Sequence, residues 1–379
     1  TVWRAVRSNQ ISNQSFRDCR NLRKAMASVK MLLGSVAVFV GLLAVTVGLV
    51  GKLDPWFFMN LKYPKFGPGP GGLLWLLTGH EFPPYIDMVQ PWQDGGWLKK
   101  DDIVVSTGTK AGTTWLLYCT HEIRTKGSDS VKWRDVNYNT PWVELRQMPR
   151  QEWPKIKDLM NTTTLSDGTL LKDHWDHPSF PFRIFKSHAT PGPEQLDIRN
   201  KKHVKFIASM RPGLDVVASV APFICKHEPD WLSMWGGMDA LQTNCEDAGA
   251  LLAAAMQNFS PGGPFHKLFF DYVRDWWPYR NDENLLMLHY DDMVKDHDGL
   301  IKKLVDFLGV KLTPAEYAKV SDRCTFQYMK KNVDTSYHIP LNPDWPAGKG
   351  LMRVTSMLHK GKAGRGKAEF SDAQQAQWA

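Results

Sequence analysis

From Asp101 to Leu117 the chain reads Asp-Asp-Ile-Val-Val-Ser-Thr-Gly-Thr-Lys-Ala-Gly-Thr-Thr-Trp-Leu-Leu. Ile103, Val104 and Val105 are β-branched with no polar alternation, the pattern of a strand buried on both faces of a parallel sheet. Gly108 and Gly112 bracket a tight turn around Lys110. Thr113, Thr114 and Trp115 then open a helix whose apolar side continues through Leu116 and Leu117. Strand, glycine turn and helix start is also the physical recipe for holding an anion. Free backbone N–H groups point into the loop, and the helix dipole adds partial positive charge. Lys110 supplies a full charge, and Thr113 and Thr114 supply hydroxyl donors.

The same alternation recurs downstream. Arg183–His188, Val204–Ser209 and Asn284–Tyr290 read as further strands. Helices are expected from Asp215 to Val220, over 246–258, from Phe269 to Trp277 ahead of Pro278, and from Leu300 to Leu308 with Gly309 as its cap. Strands alternating with helices predict an α/β fold, a P-loop-like three-layer domain with a mostly parallel central sheet. No internal repeat is present.

Charge is unevenly placed. Of the net +8, residues 1–30 hold seven Lys/Arg against Asp18 alone, so the body is close to neutral. That excludes a broad basic face and argues against nucleic acid as a partner. Met31 to Gly51 carries no charge and is long enough to span a bilayer as one helix. A cleaved signal peptide fits less well, because the apolar run is long, starts late and lacks a small-x-small site after it. The excess of Lys/Arg before it predicts a single-pass type II anchor with the body across the membrane. The expected organisation is a basic tail at 1–30, a transmembrane helix at 31–51, a Pro/Gly-rich stem at 52–96 and a catalytic domain at 97–379, part of the stem packing on the body. A luminal Golgi location is expected, which would expose the sequons at Asn161 and Asn258; a cytosolic-facing body is the other topology. The five cysteines are scattered and none forms a Cys-x-x-Cys pair, so neither a disulfide framework nor a zinc site is expected. His174 and His177 stand beside Pro178 and read as loop residues, and no metal is expected.

The loop at Lys110 is not a Walker A motif, since Lys precedes the last Gly instead of following it. Lys110-Ala111-Gly112-Thr113-Thr114-Trp115 resembles the 5′-phosphosulfate loop of the cytosolic-type sulfotransferases. These enzymes transfer the sulfuryl group of 3′-phosphoadenosine 5′-phosphosulfate (PAPS). Gly108 and Thr109 stand where the family has Tyr-Pro. Arg211 and Ser219, eight residues apart, resemble the family's 3′-phosphate segment; an Arg at a strand end and a Ser two helical turns on can clamp one phosphate. Pro141-Trp142-Val143-Glu144 and Phe185-Lys186-Ser187-His188 also match family segments. The resemblance implies that Lys186 lies near the sulfuryl group and that His188 is the general base, a role suited to a group titrating near neutrality.

By the same resemblance Tyr290, Thr325 and Phe326 surround the adenine, with Trp115 stacked on its other face. Leu358-His359-Lys360-Gly361-Lys-Ala-Gly364 resembles the Arg-Lys-Gly-x-x-Gly segment that closes on the 3′-phosphate, with His359 in place of Arg. Arg365-Gly366-Lys367 replaces Asp-Trp-Lys. Of the family's dimer segment only Lys367 is kept, so dimerisation is not carried over. The resemblance runs from about Lys99 to Gln375. Within it, Gln147 to His177 is long for the family, and such insertions tend to lie over the acceptor pocket. The expected activity is sulfuryl transfer from PAPS to a hydroxyl or amine of a small-molecule or glycan acceptor, with catalytic His188, Lys110 and Lys186. The alternatives are a P-loop kinase using ATP, or a membrane-anchored nucleotide-binding protein without activity.

Overall fold

The structure is a computed structural model that describes residues 90–148, 151–193, 195–234, 245–259 and 266–378. The expected membrane span at 31–51 and most of the stem lie outside the described residues. Among those described, no helix is long and apolar enough to cross a membrane.

After a single helical turn at Gln90–Gln93, the chain enters β1 (Ile103–Thr107), buried along its whole length, and then α1 (Thr113–Thr125). Next come α2 (Trp153–Thr162), β2 (Ile184–Ser187), β3 (Lys205–Met210) and α3 (Gly213–Ile224). They are followed by α4 (Ala248–Phe259), α5 (His266–Trp276), β4 (Leu285–His289), α6 (Tyr290–Lys295) and α7 (His297–Leu308). The C-terminal part adds α8 (Pro314–Arg323), α9 (Phe326–Asn332) and α10 (Arg365–Glu369). The strands form one parallel sheet in the order β2-β1-β3-β4. Ser106 pairs with Ser187, Thr107 with Ser209, and Met210 with His289, so the carboxyl ends of the strands are level.

Alternation along the strands makes the three layers. Ile103, Val105, Ile184 and Ile207 face Leu116, Leu117 and Ile123 of α1 and Ile301 and Leu304 of α7. Val104, Phe185 and Phe206 face the other way, onto Trp97, Trp153, Trp175 and Trp276. Side chains of successive strand residues point to opposite faces, so an unbroken apolar run is needed where both faces are covered. The stretch from Gln147 to His177 thus contributes to a covering layer, burying Trp153, Ile156, Met160 and Trp175. The end of the Pro/Gly-rich segment joins the same layer through Trp92, which is 1% exposed.

Two findings differ from the sequence reading. Helix α3 runs on to Ile224 with Pro222 inside its last turn. Val216, Val217, Val220 and Ala221 bury against Met256 and Phe259 of α4, and this packing outweighs the backbone bond that proline forfeits. The expectation of no disulfide is also corrected. Cys225, the C-cap of α3, is bonded to Cys245, 20 residues on, with Cα atoms 5.6 Å apart. No spacing rule marks such a pair.

Candidate active site

Four parallel strands deliver their following residues to one edge of the sheet. β1 leads to the Lys110 loop, β2 to His188, β3 to Arg211 and β4 to Tyr290. In α/β sheets this carboxyl edge is where ligands bind.

The loop is held from below. The Gly108 N–H donates to the Ser209 carbonyl (2.9 Å), and Ser209 Oγ donates to the Ala111 carbonyl (2.7 Å). The hydroxyls of Thr107 and Thr113 meet at 2.5 Å, and those of Thr114 and Tyr337 at 3.0 Å. Lys110 (φ +57°) and Gly112 (φ +94°) adopt left-handed backbone, which turns the chain into α1. A Cβ at Gly112 would also stand 3.2 Å from the Tyr290 ring, so glycine is needed there twice over. Gly112 is the N-cap of α1 and offers no side chain, which leaves the first-turn N–H groups for a ligand. Lys110 Nζ lies 3.9 Å from the centre of the Phe223 ring. Burial lowers its pKa to about 7, helped by the positive charges of Arg211, Lys226 and Arg365.

Arg211 is 6% exposed. Its NH1 donates to the Lys110 carbonyl (3.2 Å) and its NH2 to the Lys362 carbonyl (3.0 Å). It pairs with Asp215 at 3.4 Å, and its guanidinium lies 4.1 Å from the centre of the Tyr290 ring. Its Nε is buried without a hydrogen-bond partner among the described residues. Ser219 lies half-buried further along α3. Trp115 is half-buried, donating from Nε1 to the Cys324 carbonyl (2.8 Å), and its ring lies parallel to that of His297 at 6.1 Å. Thr325 caps α9, accepting from the Tyr328 N–H, and Phe326 begins that helix. The Phe326 ring closes against Gly361, where a Cβ would strike it. His359 and Lys360 are exposed beside it, and His359 is held below its usual pKa by burial and then by Arg365. One wall of the edge therefore joins Lys110, Arg211, Tyr290, Gly361 and Lys360.

The opposite wall holds His188. Its Nδ1 is 2.8 Å from the Thr107 carbonyl, which can only accept, so Nδ1 carries the proton and Nε2 presents a lone pair. Nε2 lies 2.9 Å from Lys186 Nζ. The expectation of a group titrating near neutrality is corrected here: burial, and then the charge of Lys186, lowers the His188 pKa to about 3, so the ring is neutral. Lys186 is buried beneath the Trp142 ring, 2.7 Å from its centre. Burial pushes its ammonium well down, and Glu144 opposes this.

Glu144 is the residue whose role the sequence concealed. It is fully buried and accepts four hydrogen bonds: from Trp92 Nε1 (2.8 Å), Ser187 Oγ (2.5 Å), Trp142 Nε1 (3.1 Å) and the His188 N–H (3.1 Å). Burial raises its pKa while Ser187, Trp142, the His188 N–H and Lys186 favour its charged form. Only the Pro-Trp-Val-Glu pattern hinted at it. Tyr337 also escaped notice; it has φ +56°, and its ring lies 5.7 Å from Lys186 Nζ. A cavity of about 680 Å³ sits elsewhere, at the amino ends of the strands near Ile103, Phe182 and Lys205, away from these groups. His174 and His177 turn to the hydroxyls of Thr169 and Ser179.

Residues 100–378 match the family model described as a sulfotransferase domain. The chain belongs to this sulfotransferase family. It is 28% identical to sulfotransferase 2A6 of Mus musculus over 279 residues, which cover 73% of this chain and 81% of the relative. It is 26% identical to 3-beta-hydroxysteroid sulfotransferase of Cavia porcellus, covering 76% and 84% of the two chains. The mouse sulfotransferase SULT7A1, solved with PAP, shares the fold at a TM-score of 0.50 and 20% identity, over 77% of this chain and 85% of that one. This sulfotransferase is therefore a PAPS-dependent enzyme, and a kinase reading is not favoured. Its site suits that donor. The uncapped α1, the unpartnered Arg211 Nε and the cations along the wall are groups that a nucleotide bearing phosphate and phosphosulfate charges would satisfy.

Proposed function

We propose that this sulfotransferase moves the sulfuryl group of PAPS to a hydroxyl or amine of a small-molecule or glycan acceptor by in-line displacement, with His188 as general base. The observation that carries this reading is the tautomer of His188, whose Nε2 lone pair faces Lys186 while Nδ1–H is tied to Thr107. The acceptor proton passes to Nε2 as the acceptor oxygen or nitrogen bonds to sulfur. The bond from sulfur to the bridging phosphate oxygen breaks, and its electrons stay on that oxygen. Lys110, Lys186 and the first-turn N–H groups of α1 offset the charge that builds there. Arg211, Ser219, Lys360 and Gly361 hold the 3′-phosphate, and Tyr290, Thr325, Phe326 and Trp115 surround the adenine. The test is transfer of labelled sulfate from PAPS across an acceptor panel that includes 3-hydroxysteroids, for which the guinea pig relative is named. No transfer to any acceptor would defeat the reading.

We also propose a type II membrane anchor at residues 31–51 with the catalytic body in the Golgi lumen. The Cys225–Cys245 disulfide supports this, because such bonds persist in oxidising compartments. The Asn161 sequon sits at the end of α2, half-buried, with Nδ2 donating to the Lys157 carbonyl; Asn258 lies in α4. Protection of the body from protease added to intact vesicles is expected, and digestion from the cytosolic side would reverse the assignment.

A further inference from the structure

The C-terminal loop departs from the family pattern at His359, Arg365 and Gly366, and the structure relates the first two. Gly364 (φ +75°) leads into α10. The Gly364 and Gly366 N–H groups donate to the two carboxylate oxygens of Asp215, at 2.9 and 2.7 Å. Asp215 is the partner of Arg211, and Arg211 donates to the Lys362 carbonyl. Arg365 is thus fixed between two amides anchored on the carboxylate beside Arg211. A Cβ at Gly366 would strike Leu214, so α10 approaches the start of α3 as closely as backbone allows.

Arg365 is 6% exposed. Among the described residues its side chain bonds to Glu369, through Nε and NH2, each at 2.9 Å. Glu369 also takes Lys360, at 2.7 Å. Two cations share this one carboxylate, and Lys362 and Lys367 lie on the same loop, so positive charge is in excess here. The charge of Arg365 reaches Lys110, Tyr290 and His359, which border the nucleotide wall. A guanidinium that must share its carboxylate with a second cation keeps N–H groups for an anion from outside. Position 359 has lost the family's guanidinium, and a guanidinium has appeared at 365, where the family has an acid.

We propose that Arg365 joins Arg211 as the second guanidinium holding the nucleotide's 3′-phosphate, the function that an Arg at position 359 would otherwise serve. This rests on the PAPS reading above. Glu369 orients the fork, and the remaining N–H groups of Arg365 meet the phosphate.

The test compares two probes that differ only in the 3′-phosphate, PAP and 5′-AMP, titrated into the full-length chain in detergent by calorimetry. The wild type is expected to bind PAP more tightly than AMP. Arg365→Gln is expected to weaken PAP by about ten- to hundredfold, the worth of a charge-assisted bond, and to leave AMP unchanged. Adding His359→Arg to Arg365→Gln is expected to restore most of the PAP affinity. Arg365→Lys keeps the charge while losing the fork, and is expected to weaken PAP alone, by a smaller factor; it decides the matter if the Gln variant does not fold. Equal losses for PAP and AMP would make Arg365 a structural residue and overturn the proposal, as would unchanged PAP affinity. A wild type that does not distinguish PAP from AMP would overturn the PAPS reading itself.

Discussion

Replacing Glu144 by Gln changes two atoms' worth of chemistry at the most enclosed point of the site. The carboxylate accepts four hydrogen bonds, two on each oxygen, and stands against the buried ammonium of Lys186. The amide keeps one accepting oxygen, and its NH₂ faces the other two donors. Two buried donors lose their partner, and Lys186 loses its counter-charge. Each buried donor left without an acceptor costs about 1–3 kcal/mol, so the two cost about 2–6 kcal/mol. At roughly 2–4 °C per kcal/mol for a domain of this size, the melting temperature falls by about 4–24 °C. The chemistry changes as well. Glu144 raises the Lys186 pKa against burial, so without it Lys186 deprotonates at lower pH. If the charged ammonium supports transfer, the alkaline limb of the kcat profile moves to lower pH. Differential scanning fluorimetry gives the first quantity and a pH series of sulfate transfer the second. A variant that melts with the wild type and keeps its alkaline limb would refute the account of Glu144 as counter-charge and frame. A lower melting temperature with an unmoved limb would leave it a structural residue only.

His188→Ala is expected to lower turnover by at least about a hundredfold while PAP affinity is maintained, since in the proposed mechanism its nitrogen handles the proton and not the nucleotide; full activity would remove His188 from the mechanism. Lys110 has a pKa of about 7 in the free chain and binds an anion as the ammonium. PAP affinity is therefore expected to be level below pH 7 and to fall above it, by up to about tenfold per pH unit until the pKa of the complex is reached. Calorimetry in two buffers of different ionisation enthalpy should register proton uptake on binding above pH 7, and none would contradict the assignment. Cys225→Ser opens a bridge spanning 20 residues, with an expected loss of about 3 kcal/mol on the chain-entropy estimate. Thermal melts of the two forms measure the loss, and peptide mapping without reductant verifies the bond.

Much of the site was legible before the fold was known because it is local. The run of β-branched residues, the two glycines around Lys110 and the threonines after them specify strand, turn and helix start from covalent geometry and backbone hydrogen bonding alone. Arg211, His188 and Tyr290 were legible as single residues following strands, and parallel pairing of those strands was enough to gather them. The tertiary structure decided what lies between them. It gave Glu144 its four donors from Trp92, Trp142, Ser187 and His188, 52, 2, 43 and 44 residues away. It joined Cys225 to Cys245, and it set Arg365 beside the Asp215–Arg211 pair across 151 residues of chain through the Gly366 N–H. A local motif is specified by neighbours that cannot move far apart. A buried charge is specified by partners from anywhere in the chain, and its state is fixed only when burial removes water and those partners replace it.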